Sequence, residues 1–478
     1  MTTLTDAPGG PASWPFAPIE ELDVYLESGQ EPSLVQLETQ AGGHLDPAAL
    51  AAALAGALAA DPSARRHVTA ASRWSRRLRW EAGPPGVRPA PGLLTVAGWG
   101  SPGQLSALRE QLSAWPMSLT DTAVRVLLAV GPAHDVVIVQ VHHAAFDGVS
   151  SLALLSAICA GYRDAAGTGL LAAPPALLSS LPGPGPVPPV VPPVVPPVVP
   201  PVVPPPVPPV WSRRGRAAAW RGGRRPGLPP LPGTVTRIAG HGGQPGRPGY
   251  GFVHKPVPVP RPARPGSGPY PTVNDLLVAA MILAVDRWNA AHGQRSGTIR
   301  ITVPVNGRDP RRRWDGPGNQ SRLIRVTARP AHRADPAALL AHVAAQTRTG
   351  KLQPRTGLDA VSRLLAARWA PVAVKRQAAR LARRLARPVC TDTSLVSNLG
   401  VLLDPPSFSG SGQEPLWFSG PAPMPRGLAA GAVTAGGRLH LCVHYRHALM
   451  DAGAAADFTA GYCRVLAELA ALPQGSPP

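Results

Sequence analysis

The sequence has little cysteine, few aromatic residues and almost no lysine. Its four cysteines form no CxxC pair and no metal-ligand spacing, and the apolar helical patterns around Cys159 and Cys463 are typical of reduced core thiols. Aromatic residues make up 5% and no nucleic-acid-binding motif accompanies the arginines, so we expect no nucleic-acid partner. Lysine supplies only three of the 47 basic residues, a bias typical of a GC-rich genome. The charge of +20 still favours an anionic partner, such as a nucleotide-bearing cofactor, an acidic carrier protein or an anionic membrane.

Long apolar runs and targeting signals are also missing. Residues 1–14 have neither a basic region nor an apolar stretch, and the longest helix-like apolar run, 276–285, is too short to span a bilayer. The sequence contains no P-loop, no GxGxxG and no metal-ligand cluster. We therefore expect a soluble cytoplasmic protein in a reducing setting, without a bound metal or cofactor.

A proline-rich segment divides the chain. The run PVPPVVPPVVPPVVPPVVPPPVPPV (186–210) offers few backbone donors, so polyproline II is the regular structure open to it. Together with its Arg- and Gly-rich flanks it forms an insert over 182–250 between an N-terminal half (14–181) and a C-terminal half (251–475). The insert is interpreted as a disordered linker, with a PxxP ligand for an SH3-like partner as the alternative.

Strands and helices alternate on both sides of the insert. VVIVQV (136–141) reads as a buried strand, and the apolar-faced run over 149–165 reads as the helix that follows it. In the second half, Thr272 is a candidate N-cap for a helix that Gly293 ends, and TIRITVPV (298–305) reads as a strand. This alternation predicts an α/β protein, with mixed sheets flanked by helices.

The two halves carry an internal echo. HAAFD (143–147) and HALMD (447–451) share an HxxxD spacing, and each follows a predicted strand and precedes a predicted apolar helix. The second copy has Arg446 in the place of the first histidine and lacks the glycine after the aspartate. The echo indicates two lobes of similar construction, with the second copy a structural relic.

The first copy has the residues that acid–base chemistry needs. A neutral imidazole can take a proton from an alcohol, amine or thiol, and a turn directly after a rigid strand fixes its orientation. Asp147 can hold that imidazole or pair with an arginine, and Gly148 permits a close backbone approach before the helix. The alternative is that a histidine at the end of the strand is an ordinary polar residue whose hydrogen bonds are made within the protein. The presence of two adjacent histidines, His142 and His143, argues against this alternative.

HHAAFDG (142–148) resembles the HHxxxDG motif of the superfamily that includes chloramphenicol acetyltransferase, nonribosomal peptide condensation domains and wax ester synthase/diacylglycerol acyltransferases. The resemblance extends to segments in the family's order, namely 14–27, 45–58, 272–285, 303–309 and 396–400. The PLW motif of the wax ester synthase group is absent upstream of the histidines, and Pro-Leu-Trp at 415–417 is interpreted as coincidence. The resemblance implies two lobes of one architecture with an active-site tunnel between them.

The resemblance also implies roles for residues of the motif. His143 would be the general base, His142 would support it, and Asp147 would form a structural salt bridge for which Arg308 is a candidate. Gly148 would keep the tunnel open. The expected substrate-binding residues are Asn274, Asp275, Ser397, Asn398 and Gly400.

The function implied is acyl transfer from acyl-CoA or a phosphopantetheinyl carrier-protein thioester to a small-molecule or lipid hydroxyl or amine. Two alternatives stay open at this point. One is a non-catalytic descendant that binds a thioester or a protein partner, and the other is a scaffold that acts through the proline-rich arm. The Arg-rich stretch 364–388 is predicted to be an amphipathic helix, either merely solvated or in contact with anionic headgroups, cofactor phosphates or an acidic carrier.

Overall fold

Two lobes, each with a sheet flanked by helices, make up the protein. The computed structural model describes residues 13–28, 31–61, 64–69, 74–83, 93–166, 235–261, 271–308, 319–352, 370–385 and 392–472.

The described part of the first half alternates strands and helices. Its strands are β1 (Ser13–Pro15), β2 (Leu34–Gln40), β3 (Arg66–Val68), β4 (Arg79–Ala82), β5 (Leu94–Gly98), β6 (Val124–Val130) and β7 (Val136–His142). Its helices are α1 (Pro18–Leu26), α2 (Pro47–Ala60), α3 (Pro102–Ala114) and α4 (Gly148–Ala166).

The second half continues the alternation. Its strands are β8 (Tyr250–Pro258), β9 (Ile299–Asn306), β10 (Ser321–Ala328), β11 (Ser394–Val401), β12 (Leu416–Ser419), β13 (Leu428–Ala435) and β14 (Arg438–Arg446). Its helices are α5 (Val273–Ala291), a 3-10 turn (Pro330–Arg333), α6 (Pro336–Leu352), α7 (Val372–Leu385) and α8 (Ala452–Ala470).

Each lobe is organised around one large mixed sheet. Among the described residues, the first-lobe sheet has the strand order β12-β2-β7-β6-β5, and the second-lobe sheet has the order β10-β9-β11-β13-β14-β8. Strands β1, β4 and β3 form a small separate sheet. The α/β prediction of helix-flanked sheets is confirmed.

Strand β12 crosses from the second half of the chain into the first lobe. It runs antiparallel to β2, with Trp417 opposite Glu38 and Ser419 opposite Gln36. The backbone N–H of Gln40 and the hydroxyl of Thr39 both donate to the Pro415 carbonyl. The Pro-Leu-Trp stretch therefore lies in the first-lobe sheet, although it belongs to the second half of the sequence.

The continuous apolar pattern of β7 reflects helices on both faces of its sheet. Val137, Val139 and Val141 lie in the core that contains α2 and α4, whereas Val136 and Ile138 lie in a smaller core beneath α3. A strand covered on both faces loses the apolar–polar alternation of a half-exposed strand. This buried strand leads directly into the histidine pair.

The predicted cap of α5 is present. The Thr272 hydroxyl accepts from the Asp275 N–H at 3.3 Å, and the Asp275 carboxylate accepts from the Thr272 N–H at 2.8 Å. Residues 276–285 are all buried, because α5 lies between the second sheet and helices α6 and α8. Within the described ranges, no helix combines the length and the apolar character that a membrane crossing requires.

The second lobe extends further toward the N-terminus than predicted. Residues 182–234 of the predicted insert lie outside the described residues, but 235–250 pack against the second lobe. Val235 bridges to Thr298, and the Asn289 side chain accepts a 2.8 Å hydrogen bond from the Ala239 N–H. These tertiary contacts leave no signal in local composition, so the composition-based boundary at 251 does not reflect them.

Helix α7 contains the described part of the Arg-rich stretch. It begins directly after Pro371, and residues 364–369 lie outside the described residues. The Lys375 ammonium is buried, donates to the Arg76 carbonyl at 2.8 Å and lies 3.9 Å from Glu21. Val374 and Leu381 are exposed on its outer side. Contact of this helix with headgroups, phosphates or a carrier stays a prediction.

Candidate active site

His142 is a fully buried histidine that the protein holds as a neutral imidazole. It ends β7 opposite Leu34 of β2. Its Nδ1 accepts a 3.1 Å hydrogen bond from the Ala144 N–H, so Nδ1 carries no proton. Nε2 is therefore protonated and donates to the Glu27 carboxylate at 3.0 Å. His142 thus anchors the loop instead of acting as a base.

Removing the carboxylate that pairs with His142 is expected to destabilise the fold. Glu27→Ala leaves a buried N–H without an acceptor and lowers the free energy of unfolding by about 1–3 kcal/mol. Glu27→Gln keeps an acceptor oxygen and lowers it by less than half as much. Urea denaturation of both variants measures the difference, and equal losses would contradict the assigned tautomer of His142.

His143 presents the opposite tautomer. Its Nδ1 lies 3.0 Å from the Phe146 carbonyl, which can only accept, so Nδ1 carries the proton. In the neutral ring Nε2 is then unprotonated. The backbone on both sides is fixed, because the His143 N–H donates to the Ser33 carbonyl and its own carbonyl accepts from the Asn319 amide at 3.3 Å. The ring is half-buried, so Nε2 of an oriented imidazole is available as a base.

A buried acidic side chain on α1, Asp23, lies beside the histidine pair. Burial raises the pKa of Asp23, while the imidazoles of His143 and His142 and a hydrogen bond from Asn319 favour its charged form. The Asn319 amide nitrogen is 3.3 Å from Asp23 Oδ2. The same amide donates to the His143 carbonyl, so Asn319 links Asp23 to the backbone of the histidine loop.

Asp147 and Arg308 form a buried ion pair across the two halves of the chain. Asp147 Oδ2 lies 2.6 Å from the Arg308 guanidinium, and both side chains are 2% exposed. The same oxygen accepts from the Gln320 N–H at 3.0 Å. The other oxygen accepts from the N–H and the hydroxyl of Ser150, both at 2.9 Å, and so caps α4. Asp147 is thus a structural residue that fixes both ends of the histidine loop.

Gly148 and the segment 397–400 lie together. A Cβ on Gly148 would stand 2.8 Å from Leu399 Cδ2 and 3.0 Å from the Phe418 ring. Strand β11 bulges here, where the Asn398 side chain accepts from the Gly400 N–H at 2.9 Å and Gly400 has a φ of +86°. The structure therefore places Leu399, the residue between Asn398 and Gly400, against the start of α4, and the predicted substrate-binding roles of Ser397, Asn398 and Gly400 stay predictions. The close approach of Leu399, as opposed to open space, accounts for the glycine at 148.

Asp275, expected to bind substrate, is a buried capping residue of α5, and its predicted role in substrate binding stays a prediction. Asp275 Oδ2 accepts from the Thr272 N–H and hydroxyl, and Oδ1 accepts from the Thr347 hydroxyl at 2.6 Å. Both oxygens of this buried carboxylate are thereby used to cap α5 and to join it to α6. Asn274 is half-buried on the first turn of α5, on the helix-covered side of the second sheet.

The second HxxxD copy (447–451) also joins a strand to a helix capped by its aspartate, but its histidine is covered by another segment of the chain. Asp451 caps α8 by accepting from the Ala454 N–H at 2.8 Å, as Asp147 caps α4. The Gln244 N–H donates to the His447 carbonyl at 2.6 Å, and the Asp451 N–H donates to the His241 carbonyl. His447 is 4% exposed, and burial lowers its pKa to about 4. The segment 241–249 thus covers the site that is half-open in the first lobe.

Buried histidines between the lobes make stability depend on pH. Burial lowers the pKa of His444 to about 3, and the nearby Arg426 and His254 act in the same direction. The unfolded chain then binds more protons between pH 3 and pH 6.5, so stability is full above pH 6.5 and falls as the pH drops through this window. We expect His444 alone to cost roughly 2 kcal/mol between pH 7 and pH 5.

Urea unfolding at pH 7 and pH 5 tests this expectation with His444→Phe as the comparison variant. Phe252 stacks near His444, with ring centroids 6.4 Å apart, so a phenyl ring suits the site. The variant should lose less stability than the wild type on going from pH 7 to pH 5. An unchanged difference between the two pH values would show that His444 does not titrate in this window.

Sequence reasoning missed three partners of the histidine pair: Asp23, Glu27 and Asn319. Asp23 and Glu27 belong to the segment 14–27, which was recognised as a landmark but not as a source of site residues. Their i, i+4 spacing places both on one side of α1 and its C-cap, which is the available signal. No group of His, Cys, Asp and Glu suited to a metal ion occurs in the described parts of the chain.

Solved structures share this architecture over nearly the whole chain. The epimerization domain from the third module of tyrocidine synthetase B has a TM-score of 0.55 at 13% identity, with 98% of each chain covered. A mutant starter condensation domain of rhizomide synthetase RzmA, in complex with C8-CoA, has a TM-score of 0.57 at 15% identity, with 96% of this chain and 95% of that chain covered. The chain has a condensation-domain fold. The predicted two-lobed architecture is therefore confirmed.

Sequence comparison adds a relative but no function. No protein-family model matches the chain. An uncharacterized protein of Mycobacterium tuberculosis (strain H37Rv) is 27% identical over 415 residues, which cover 85% of this chain and 88% of that protein. Within the condensation-domain fold of this chain, the histidine loop lies where residues of both lobes meet.

Proposed function

We propose that this protein is an acyltransferase that moves an acyl group from a CoA or carrier-protein thioester to a hydroxyl or amine, with His143 as general base. The observation that carries the proposal is the tautomer of His143. The Phe146 carbonyl holds the proton on Nδ1, so Nε2 is the atom that can accept one. The condensation-domain fold, and the C8-CoA complex of one domain with that fold, support a thioester donor.

The proposed reaction begins with proton transfer from the acceptor to His143 Nε2. The acceptor oxygen or nitrogen forms a bond to the thioester carbonyl carbon, and the resulting oxyanion then expels the thiolate. The imidazolium returns its proton to the departing sulfur, so the products are the ester or amide and a free thiol. An ionised Asp23, which Asn319 links to the His143 carbonyl, would stabilise the imidazolium in the interval.

The other residues position this base. His142 and Glu27 anchor the end of β7, and Asp147 with Arg308 holds the loop to the second lobe. Because Ser397–Gly400 lies against the start of α4, we assign it to the wall of the substrate channel on the second-lobe side. Asn274 and Asp275 have no part in this scheme.

Product analysis tests the proposal. The purified full-length chain is incubated with a panel of acyl-CoAs and of alcohols or amines, and the products are identified by mass spectrometry. We expect acyl transfer by the wild type and, over the same time, at least a hundredfold less product from a His143→Ala sample. Binding of acyl-CoA with no product from any acceptor would instead favour a non-catalytic thioester-binding protein.

A further inference from the structure

One face of the second-lobe sheet is turned away from its helices. Along β10, Ile324 and Val326 lie in the core formed with the helices of this lobe. Side chains alternate along a strand, so Leu323 and Arg325 point to the other face. Leu323 as a whole residue is 51% exposed, and the side chain of Arg325 is likewise 51% exposed.

That second face looks toward the first lobe. The strand register places Arg325 opposite Thr302 of β9, Thr302 opposite Leu395 of β11, and Leu395 opposite Ala429 of β13. Val433, four residues after Ala429 and on the same face, packs in the core of the first lobe. Arg325 therefore lies on the inter-lobe face, at the edge strand of the sheet.

Strand β10 leads from the histidine loop to Arg325. Asn319, just before the strand, donates to the His143 carbonyl. From Ser321 to Arg325 the strand advances by four residues, or roughly 13–14 Å. Leu323, opposite Pro304, lies between them and gives this stretch an apolar surface. An elongated molecule on this face would reach from His143 to Arg325.

A second arginine joins Arg325 around one carboxylate. Asp392 lies 3.6 Å from the Arg325 guanidinium and 3.6 Å from the Arg426 guanidinium, and it also accepts from the Thr302 hydroxyl. A single carboxylate between two guanidinium groups leaves one positive charge uncompensated. Within the described residues, Arg426 Nε and Asp392 Oδ1 are shielded from solvent and make no hydrogen bond. The cluster thus carries a net positive charge, and the half-exposed Arg325 presents part of it to a ligand on this face.

We infer that Arg325 and Arg426 bind the phosphate of the acyl donor's phosphopantetheine arm. This inference rests on the proposed function, because it places the thioester at His143. The arm joins its sulfur to its phosphate through cysteamine, β-alanine and pantoate units, comparable with four to five extended residues, roughly 13–18 Å. A guanidinium group can donate two parallel hydrogen bonds to two phosphate oxygens, and Asp392 lies close to the guanidinium groups of both arginines.

Binding measurements on the full-length chain test the inference without relying on turnover. Isothermal titration with CoA, 4′-phosphopantetheine and pantetheine compares probes with and without the phosphate. We expect the wild type to bind the first two at least tenfold more tightly than pantetheine, and Arg325→Gln to abolish that preference. Arg322→Gln is the matched control, because Arg322 lies on the same strand but donates to the Gly350 carbonyl on α6. It should leave all three affinities unchanged.

Each outcome has a defined meaning. Loss of CoA and phosphopantetheine binding together in Arg325→Gln supports a site for the phosphate of the arm, which CoA and carrier proteins share. Loss of CoA binding alone contradicts the inference, because Arg325 would then bind a phosphate that only CoA carries. Equal binding of pantetheine and phosphopantetheine by the wild type, or unchanged binding in Arg325→Gln, overturns the inference. If the anion site is confirmed but no donor is turned over, the proposed function fails alone. If transfer occurs and Arg325→Gln leaves the KM for acyl-CoA unchanged, the inference fails alone.

Discussion

His143→Ala lowers the kcat of acyl transfer by about 10²–10⁴-fold, the usual contribution of a positioned general base. The reason is the loss of Nε2, the ring atom that remains unprotonated while Nδ1 donates to the Phe146 carbonyl. Donor affinity should change little, because the imidazole acts on the acceptor. Steady-state kinetics with a saturating acyl donor measures the change in kcat, and urea denaturation verifies that the variant is folded.

The second HxxxD copy provides the control for this experiment. His447 has the corresponding backbone position in the other lobe but is covered by residues 241–249. His447→Gln should therefore keep wild-type kcat in the fraction that folds. Transfer that persists in His143→Ala at the wild-type rate would disprove the assignment of His143 as base. A loss of kcat in both variants would point to a general effect on folding.

Arg308→Met lowers the free energy of unfolding by about 3–5 kcal/mol, because it leaves the Asp147 carboxylate buried without its cation. The double variant Asp147→Asn with Arg308→Met should recover part of this loss, since the uncompensated charge is then gone. Urea denaturation of the single and double variants gives the coupling energy between the two positions.

An exposed ion pair offers the matched comparison. Arg287 and Glu468 lie 2.7 Å apart, but their side chains are 52% and 47% exposed. Arg287→Met should cost less than about 1 kcal/mol, because solvent screens such pairs. If Arg308→Met costs no more than Arg287→Met, the pair with Asp147 does not hold the two halves together. The kcat of Arg308→Met should also fall, because the loop that carries His143 loses its anchor on the second lobe.

Much of the local architecture was predictable because its determinants are local. The apolar run of β7, the Thr272 cap and the apolar pattern of α5 each produce their structure from neighbouring residues. The HxxxD echo likewise predicted matching strand–loop–helix units in both halves, since β7 with α4 and β14 with α8 have that form. What the sequence pattern could not show is which of these units meet in space.

The site depended on contacts between distant residues. Glu27 precedes its partner His142 by 115 positions, and Arg308 follows Asp147 by 161. Arg308 was proposed through a family resemblance, whereas Glu27 was not, because nothing near His142 requires a carboxylate from α1. Asp275 illustrates the opposite case, in which both carboxylate oxygens of a motif residue are engaged, one by its own helix cap and one by Thr347. The contact of Val235 with the second lobe is invisible in composition for the same reason, since its bridge to Thr298 is a tertiary contact.

The crossing of β12 means that the two halves of the sequence are not independent folding units. A fragment that ended in the proline-rich segment would lack residues 416–419, and β2 would become an uncovered edge with unpaired N–H and C=O groups along it. Such an edge pairs readily with other chains and leads to aggregation. Conversely, a fragment that began after the proline-rich segment would carry a strand with no sheet to join. The long insert separates the halves along the chain, while β12 makes each half necessary for the folding of the other.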